Sequence, residues 1–138
     1  FIMFGKVFNF FKYHGFPIGK KRYISIPSSI LSNTKYSIAC VRGIFNTDGS
    51  IYSRYSKKYD NHAKHYILMN IEIKMTNKYI IYQIKSILDS LMIKTNNIRK
   101  NKESYVLKIT HQFHIKKFMD IIQPSNKYHV ERYLNRCR

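Results

Sequence analysis

Val41-Arg42-Gly43-Ile44-Phe45-Asn46-Thr47-Asp48-Gly49-Ser50 is the stretch around which the rest of this 138-residue chain is organised. It closes a helix that begins near Asn33, a residue suited to capping an N-terminus. The apolar members Tyr36, Ile38, Ala39, Cys40, Val41, Ile44 and Phe45 cover a wide face, so more than one side of this helix is expected to be buried. Ala39, Gly43 and Thr47 fall at i, i+4 and i+8 and form a strip of small side chains. Along such a strip a second helix backbone can approach closely. Asp48 stands at the C-terminal end, where the helix dipole disfavours a negative charge by about 0.3–1 kcal/mol. A carboxylate in that costly place, followed by a Gly with a permissive backbone, suits a metal ligand. On composition alone, an ordinary Asp-Gly helix-to-strand turn accounts for it better.

Working downstream, residues 50–59 alternate, with Ile51, Ser53 and Tyr55 against Tyr52, Arg54, Ser56 and Lys58. Asp60-Asn61-His62 marks a turn, and residues 66–75 alternate more cleanly. There Ile67, Met69, Ile71, Ile73 and Met75 share one face, with Leu68, Asn70, Glu72 and Lys74 on the other. Together these predict an antiparallel hairpin. Thr76 or Asn77 caps a helix over about 78–92 with an Ile and Leu stripe. A second strand pair follows, 97–99 against 105–110, and then a helix over about 112–122 that Pro124 ends. A last helical stretch runs from Lys127 to Asn135. Upstream, Phe1–His14 reads as a short helix stopped by Gly15, followed by a loop and an extended piece ending at Pro27. Ser28–Leu31 has room for one helical turn. The order helix, strand, strand, helix, strand, strand, helix predicts an α+β fold with one four-stranded antiparallel sheet and helices on one face. A single domain is expected over 1–138: an N-terminal extension 1–32, a core 33–123 and a C-terminal helix 124–138.

Lys and Arg number 25 against 7 Asp and Glu, for a formal net charge of +18. Such a charge opposes compaction unless a polyanion offsets it, which favours nucleic acid over an anionic membrane surface or an acidic protein. The two cysteines, Cys40 and Cys137, lie far apart and outside any C-x-x-C spacing, so neither zinc nor a disulfide framework is indicated. A reducing intracellular compartment, cytoplasm or organelle matrix, is the expectation. Phe1–Phe11 is too short and too broken by Lys6 and Asn9 to span a bilayer. The chain does not start with Met, which fits a fragment, a processed product or a domain cut from something longer. His62 and His65 form an H-x-x-H pair without further ligands nearby, and read as surface-loop residues.

The segment Val41–Ile51 resembles the signature of the LAGLIDADG homing endonucleases, in the form found in their archaeal and intein-associated branch. Val41 stands at the first Leu, Gly43 at the first Gly, Ile44-Phe45 at the two apolar positions, Thr47 at the small residue and Asp48-Gly49 at the final Asp-Gly. Asn46 departs from the pattern, standing where the first acid usually does. Gly15–Lys20 and Ile26-Pro27 are similar to segments that often precede the motif. The resemblance implies that Ala39, Gly43 and Thr47 pack against a second motif helix. Asp48, assisted by the Gly49 carbonyl, would bind Mg²⁺ or another hard divalent cation such as Mn²⁺ or Ca²⁺ beside a scissile phosphate. Arg42 is expected to point away from the helix pair, since neighbouring positions lie about 100° apart. One motif implies a homodimer that hydrolyses both strands of double-stranded DNA across the minor groove, leaving short 3′ overhangs. Lys74, His111 and Gln112 are candidates to organise the attacking water, and each is otherwise a solvated surface residue.

The expected DNA surface is the sheet face opposite the core. It carries Tyr52, Arg54, Ser56 and Lys58, then Asn70, Glu72 and Lys74, then Asn97, Arg99 and Lys108. Arg can read guanine, Asn adenine, and Glu can accept from cytosine, whereas a lone Lys more often contacts phosphate. Two alternatives stay open: a relative that binds DNA or RNA without cutting, such as an intron maturase or a repressor, and one half of a two-motif endonuclease or intein.

Overall fold

The computed structural model describes residues 2–15, 23–55 and 67–135. Helices α1 (Ile2–Tyr13) and α2 (Ser28–Leu31) precede the motif helix α3 (Thr34–Asp48). Strands β1 (Gly49–Tyr55) and β2 (Ile67–Met75), helix α4 (Lys78–Ser90), strands β3 (Arg99–Asn101) and β4 (Ser104–Ile109), and helices α5 (Gln112–Ile122) and α6 (Lys127–Asn135) complete the order. From α3 onwards this is the expected helix and strand sequence. Both predicted caps are in place. The Asn33 side chain accepts from Tyr36 N and the Asn77 side chain from Ile80 N, each at 3.1 Å. Asn77 also donates to Ile24 O at 2.7 Å, and Gln83 brackets the Ile26 backbone at both N and O. Ile26 is thereby carried into the core.

The four strands form one antiparallel sheet in the order β1-β2-β4-β3. Its register places Ile51, Ile71 and Ile109 side by side. These three, with Met69, Ile73 and Leu107, face Val41 and Phe45 of α3, Ile81, Ile84 and Leu88 of α4, and Ile115, Phe118 and Ile122 of α5. Every one is at most 2% exposed, and each such apolar side chain contributes roughly 1.5–3 kcal/mol relative to leaving it in water. Helices α3, α4 and α5 therefore cover one face of the sheet, as alternation in the strands requires. Among the described residues no helix is long and apolar enough to cross a membrane. Ser56, Lys58, His62 and His65 lie outside the described residues.

Two local expectations need correction. Strand β3 starts at Arg99, so Asn97 precedes the ladder instead of opening it. The reason is the tight connection: Asn101 pairs with Ser104 across a two-residue loop in which Lys102 takes φ 54°, while Asn96 N already donates to Lys108 O at 2.8 Å. The second concerns Gly49, whose φ of −88° is ordinary extended backbone. Glycine is required there for space. A Cβ would overlap the buried Phe45 ring and lie 2.6 Å from the Phe45 carbonyl oxygen, which already accepts from Gly49 N.

The C-terminal segment runs alongside the motif. Arg42 Nε donates to Ile122 O at 2.6 Å, His129 packs on the Phe45 ring at 5.0 Å, and Arg132 Nη1 donates to Ile51 O at 3.1 Å. Gly49→Ala is expected to cost about 1–3 kcal/mol, because the ring and carbonyl of Phe45 must both give way. Urea unfolding checks this, and a midpoint equal to that of the unaltered chain would show that the junction is not tight.

Candidate nucleic-acid interface and metal end

The outward face of the sheet is polar by register. Tyr52 pairs with Asn70, Glu72 with Lys108, and Lys74 and Arg99 both with Val106, so all of these share the side opposite the helices. A groove of about 510 Å³ on this face is lined by Arg54, Asn70, Glu72, Asn97, Arg99 and Lys108, among others. Glu72 is the one acid among its described lining residues, and it is not left alone. Lys108 Nζ lies 2.8 Å from its carboxylate, and Tyr52 Oη 3.3 Å from both. Donation to Glu72, then to Tyr52, raises the Lys108 pKa. The cluster thus presents an acceptor and a donor side by side with little net charge. Either can meet a base edge in the major groove, carboxylate to cytosine N4 and ammonium to guanine O6 or N7.

Asp48 lies at one end of this groove-bearing face. The ladder with β2 starts at Gly49, paired with Ile73, so Asp48 ends α3 directly before it; the side chains of Asp48 and of Lys74, the β2 residue after Ile73, are both exposed. Thr47 Oγ1 stands 3.2 Å from Asp48 Oδ2 and 3.1 Å from the Ile44 carbonyl. Among the described residues no group of three or more His, Cys, Asp or Glu could hold a metal. The donors at hand are hard oxygens, the Asp48 carboxylate and the Gly49 carbonyl. That set fits Mg²⁺, which is commonly held by one or two carboxylates with substrate phosphate and water completing its shell. It does not make a self-sufficient cage.

On α3 the small strip is open. Ala39, Gly43 and Thr47 are exposed, a Cβ added at Gly43 would meet nothing within 4 Å, and Tyr36, 57% exposed, continues the strip. Arg42 turns the other way, onto Ile122 O, as the helix period requires. Half-burial raises the pKa of the Cys40 thiol, so this cysteine is not poised as a thiolate.

The sheet does not bring His111 and Gln112 to Asp48. Strand β4 runs antiparallel to β2 and therefore leaves the Asp48 end as it proceeds. Gln112 grips Met69 instead, accepting from its N at 3.0 Å and donating to its O at 2.8 Å. Met69 lies opposite Ser53, five residues from Asp48, or roughly 16–17 Å along the strand. Gln112 substitutes for a strand neighbour where β4 has ended, and its amide is committed there. His111 is exposed at the N-terminus of α5 with its ring 5.3 Å from His114. His114 accepts from Lys94 N, and burial followed by repulsion from His111, Lys94 and Lys117 lowers its pKa.

Sequence reasoning missed Ser125 and Asn126, which Asn46 holds. The available signal was Ser-Asn directly after Pro124, a cap for the last helix, since Asn126 Oδ1 accepts from Tyr128 N at 3.1 Å.

No curated protein matches the sequence. Among solved structures, the homing endonuclease I-CvuI in complex with DNA is similar with a TM-score of 0.56 and 16% identity, over 72% of this chain and 61% of that one. I-TnaI, also a homing endonuclease, gives 0.53 and 20% over 70% and 66%. I-LtrWI bound to target DNA gives 0.52 and 19% over 76% and 36%. The chain thus spans about 61% of the length of I-CvuI, and at these identities the likeness is one of fold. A family model for the LAGLIDADG-like domain matches residues 35–123, well over half of the chain, from the start of the motif helix to the end of α5. The chain belongs to the LAGLIDADG-like domain family.

Proposed function

We propose that this protein is a site-specific, divalent-metal-dependent DNA endonuclease that works as a homodimer joined through α3. The observation that carries the proposal is the placement of Asp48: it ends an exposed strip of small residues and directly precedes β1, a strand of the sheet whose outward face carries a cationic groove. Apposing two such strips brings two Asp48 carboxylates together, one for each strand of a duplex lying over two sheets. Arg54, Asn70, Glu72, Asn97, Arg99 and Lys108 then face the bases and the backbone. Lys74, next to the β2 residue that pairs with Gly49, is the cation assigned to hold the scissile phosphate. Asp48 and the Gly49 carbonyl would hold Mg²⁺, or Mn²⁺ or Ca²⁺ at the same place. Such an ion, when bound, offsets charge on the phosphate oxygens and acidifies water. Among the described residues no strong nucleophile stands at this end, so water is the attacking group and the phosphodiester is hydrolysed. Expected products are breaks across the minor groove with short 3′ overhangs.

Two outcomes test this. With Mg²⁺ and a supercoiled plasmid carrying the native insertion site, Asp48→Asn is expected to lose cleavage by orders of magnitude while binding survives or tightens, since a negative charge near phosphate is removed. Unaltered cleavage would remove Asp48 from the mechanism. Tight binding by the unaltered protein with no cleavage would instead leave a non-cutting relative. Gly43→Leu should leave the single chain folded, because space beside Gly43 is open and Gly in a helix costs about 1 kcal/mol relative to good helix formers. Sedimentation should then report a monomer. A dimer of unchanged mass would place the interface elsewhere, and an unaltered protein that is monomeric with and without DNA would contradict the homodimer.

A further inference from the structure

We propose that position 46 is a positioning residue and not a metal ligand: Asn46 and the segment leading into α6 form a splint that fixes where Asp48 stands. This rests on the reading of Asp48 as the metal-holding carboxylate.

Three hydrogen-bonded contacts tie the C-terminal segment to the motif at a constant sequence separation. Arg42 to Ile122 spans 80 positions, Asn46 to Ser125 and Asn126 spans 79 and 80, and Arg132 to Ile51 spans 81. Residues 122–132 therefore run parallel to residues 42–51 and cross the α3–β1 junction beside them. One anchor falls two residues before Asp48 and another three residues after it. The junction between them has no loop, so its direction is set by whatever holds its two sides. His129, 6% exposed and packed on the Phe45 ring, fills the space between those anchors. The family match ends at residue 123, so most of the splint lies beyond the matched domain.

Asn46 makes four hydrogen bonds within this contact. Its Oδ1 accepts from Ser125 N at 3.1 Å and Asn126 N at 3.2 Å, its Nδ2 meets Ser125 Oγ at 2.8 Å, and its carbonyl accepts from Asn126 Nδ2 at 2.9 Å. Two of these partners are backbone N–H groups entering α6, so the side chain serves as an acceptor at a helix start. A carboxylate would serve as well: one oxygen would take both N–H groups, and the Ser125 hydroxyl would turn to donate to the other. The local helix start favours a negative charge. An acid at this position and an asparagine thus do the same work, and the departure of Asn46 from the motif removes no metal ligand.

The test compares Asn46→Asp, Asn46→Ala and Arg132→Ala with the unaltered chain, using amide hydrogen exchange and Mn²⁺ titration of the DNA complex by electron paramagnetic resonance. Asn46→Asp is expected to leave exchange unchanged and, at raised salt, Mn²⁺ affinity unchanged as well. Asn46→Ala should speed exchange at residues 49–51 together with 125–130, while the amides of β2 and α4 keep their protection. Mn²⁺ binding should weaken by about ten- to a hundredfold, as loss of groups that orient a metal ligand does. Tighter Mn²⁺ binding in Asn46→Asp that persists at raised salt, where attraction at a distance is screened, would make position 46 a ligand and overturn the proposal. So would unchanged exchange at 49–51 in Asn46→Ala. Should Asn46→Ala unfold, Arg132→Ala carries the same comparison from the other anchor. If Asp48→Asn titrates like the unaltered complex, the metal reading fails, and the exchange results still decide the splint.

Discussion

The contact between Gly49 and the Phe45 ring is the constraint on which the rest depends. Helix α3 passes into strand β1 without a loop, Asp48 being the last helical residue and Gly49 the first of the strand. That is feasible because residue 49 has no Cβ, and the ring of Phe45 lies where one would be. Phe45 is wholly buried and meets Phe118 edge-on at 5.0 Å, so the same side chain ties the junction to α5. The register of β1 on β2, the inward direction of Ile51 and the outward direction of Tyr52 all follow from where β1 starts. A shift of one residue would exchange the two faces of the strand.

Charge and hydrophobicity are segregated by that arrangement. The inward side chains make an apolar core closed by three helices, and the outward ones gather cations along a groove. A net charge of +18 resists compaction, and most of its counterparts must come from outside the chain. Within the groove, Glu72 is tolerated because Lys108 and Tyr52 hold it. An unpaired carboxylate facing phosphates would weaken binding, whereas a paired one can discriminate among bases.

Much of this was legible in the sequence because it is local. Asn33 and Asn77 announce their helices, the alternation in 66–75 assigns its own faces, and the spacing of Ala39, Gly43 and Thr47 predicts an open strip. What escaped reading depends on partners far along the chain. Gln112 substitutes for a strand neighbour of Met69, 43 positions away, which no spacing reveals. Asn46 acts through residues 79 and 80 positions on, so its identity looked like a defect in the motif when considered alone. His111 is a different case. Once β1 leaves Asp48 and β2 returns to it, an antiparallel β4 must leave again, so whatever follows β4 belongs at the far end. Strand direction alone contained that answer.

Strand β1 is an edge of the sheet, and an edge strand offers unpaired backbone groups to any extended chain that arrives. Arg132 occupies the Ile51 carbonyl on this strand, and helix α6 lies along it. A guanidinium there puts a positive charge where a neighbouring strand would have to pair, and the helix takes up the room. The C-terminal helix therefore guards against misassembly at the margin of the sheet, and a chain interrupted before residue 127 would expose a sticky border during folding.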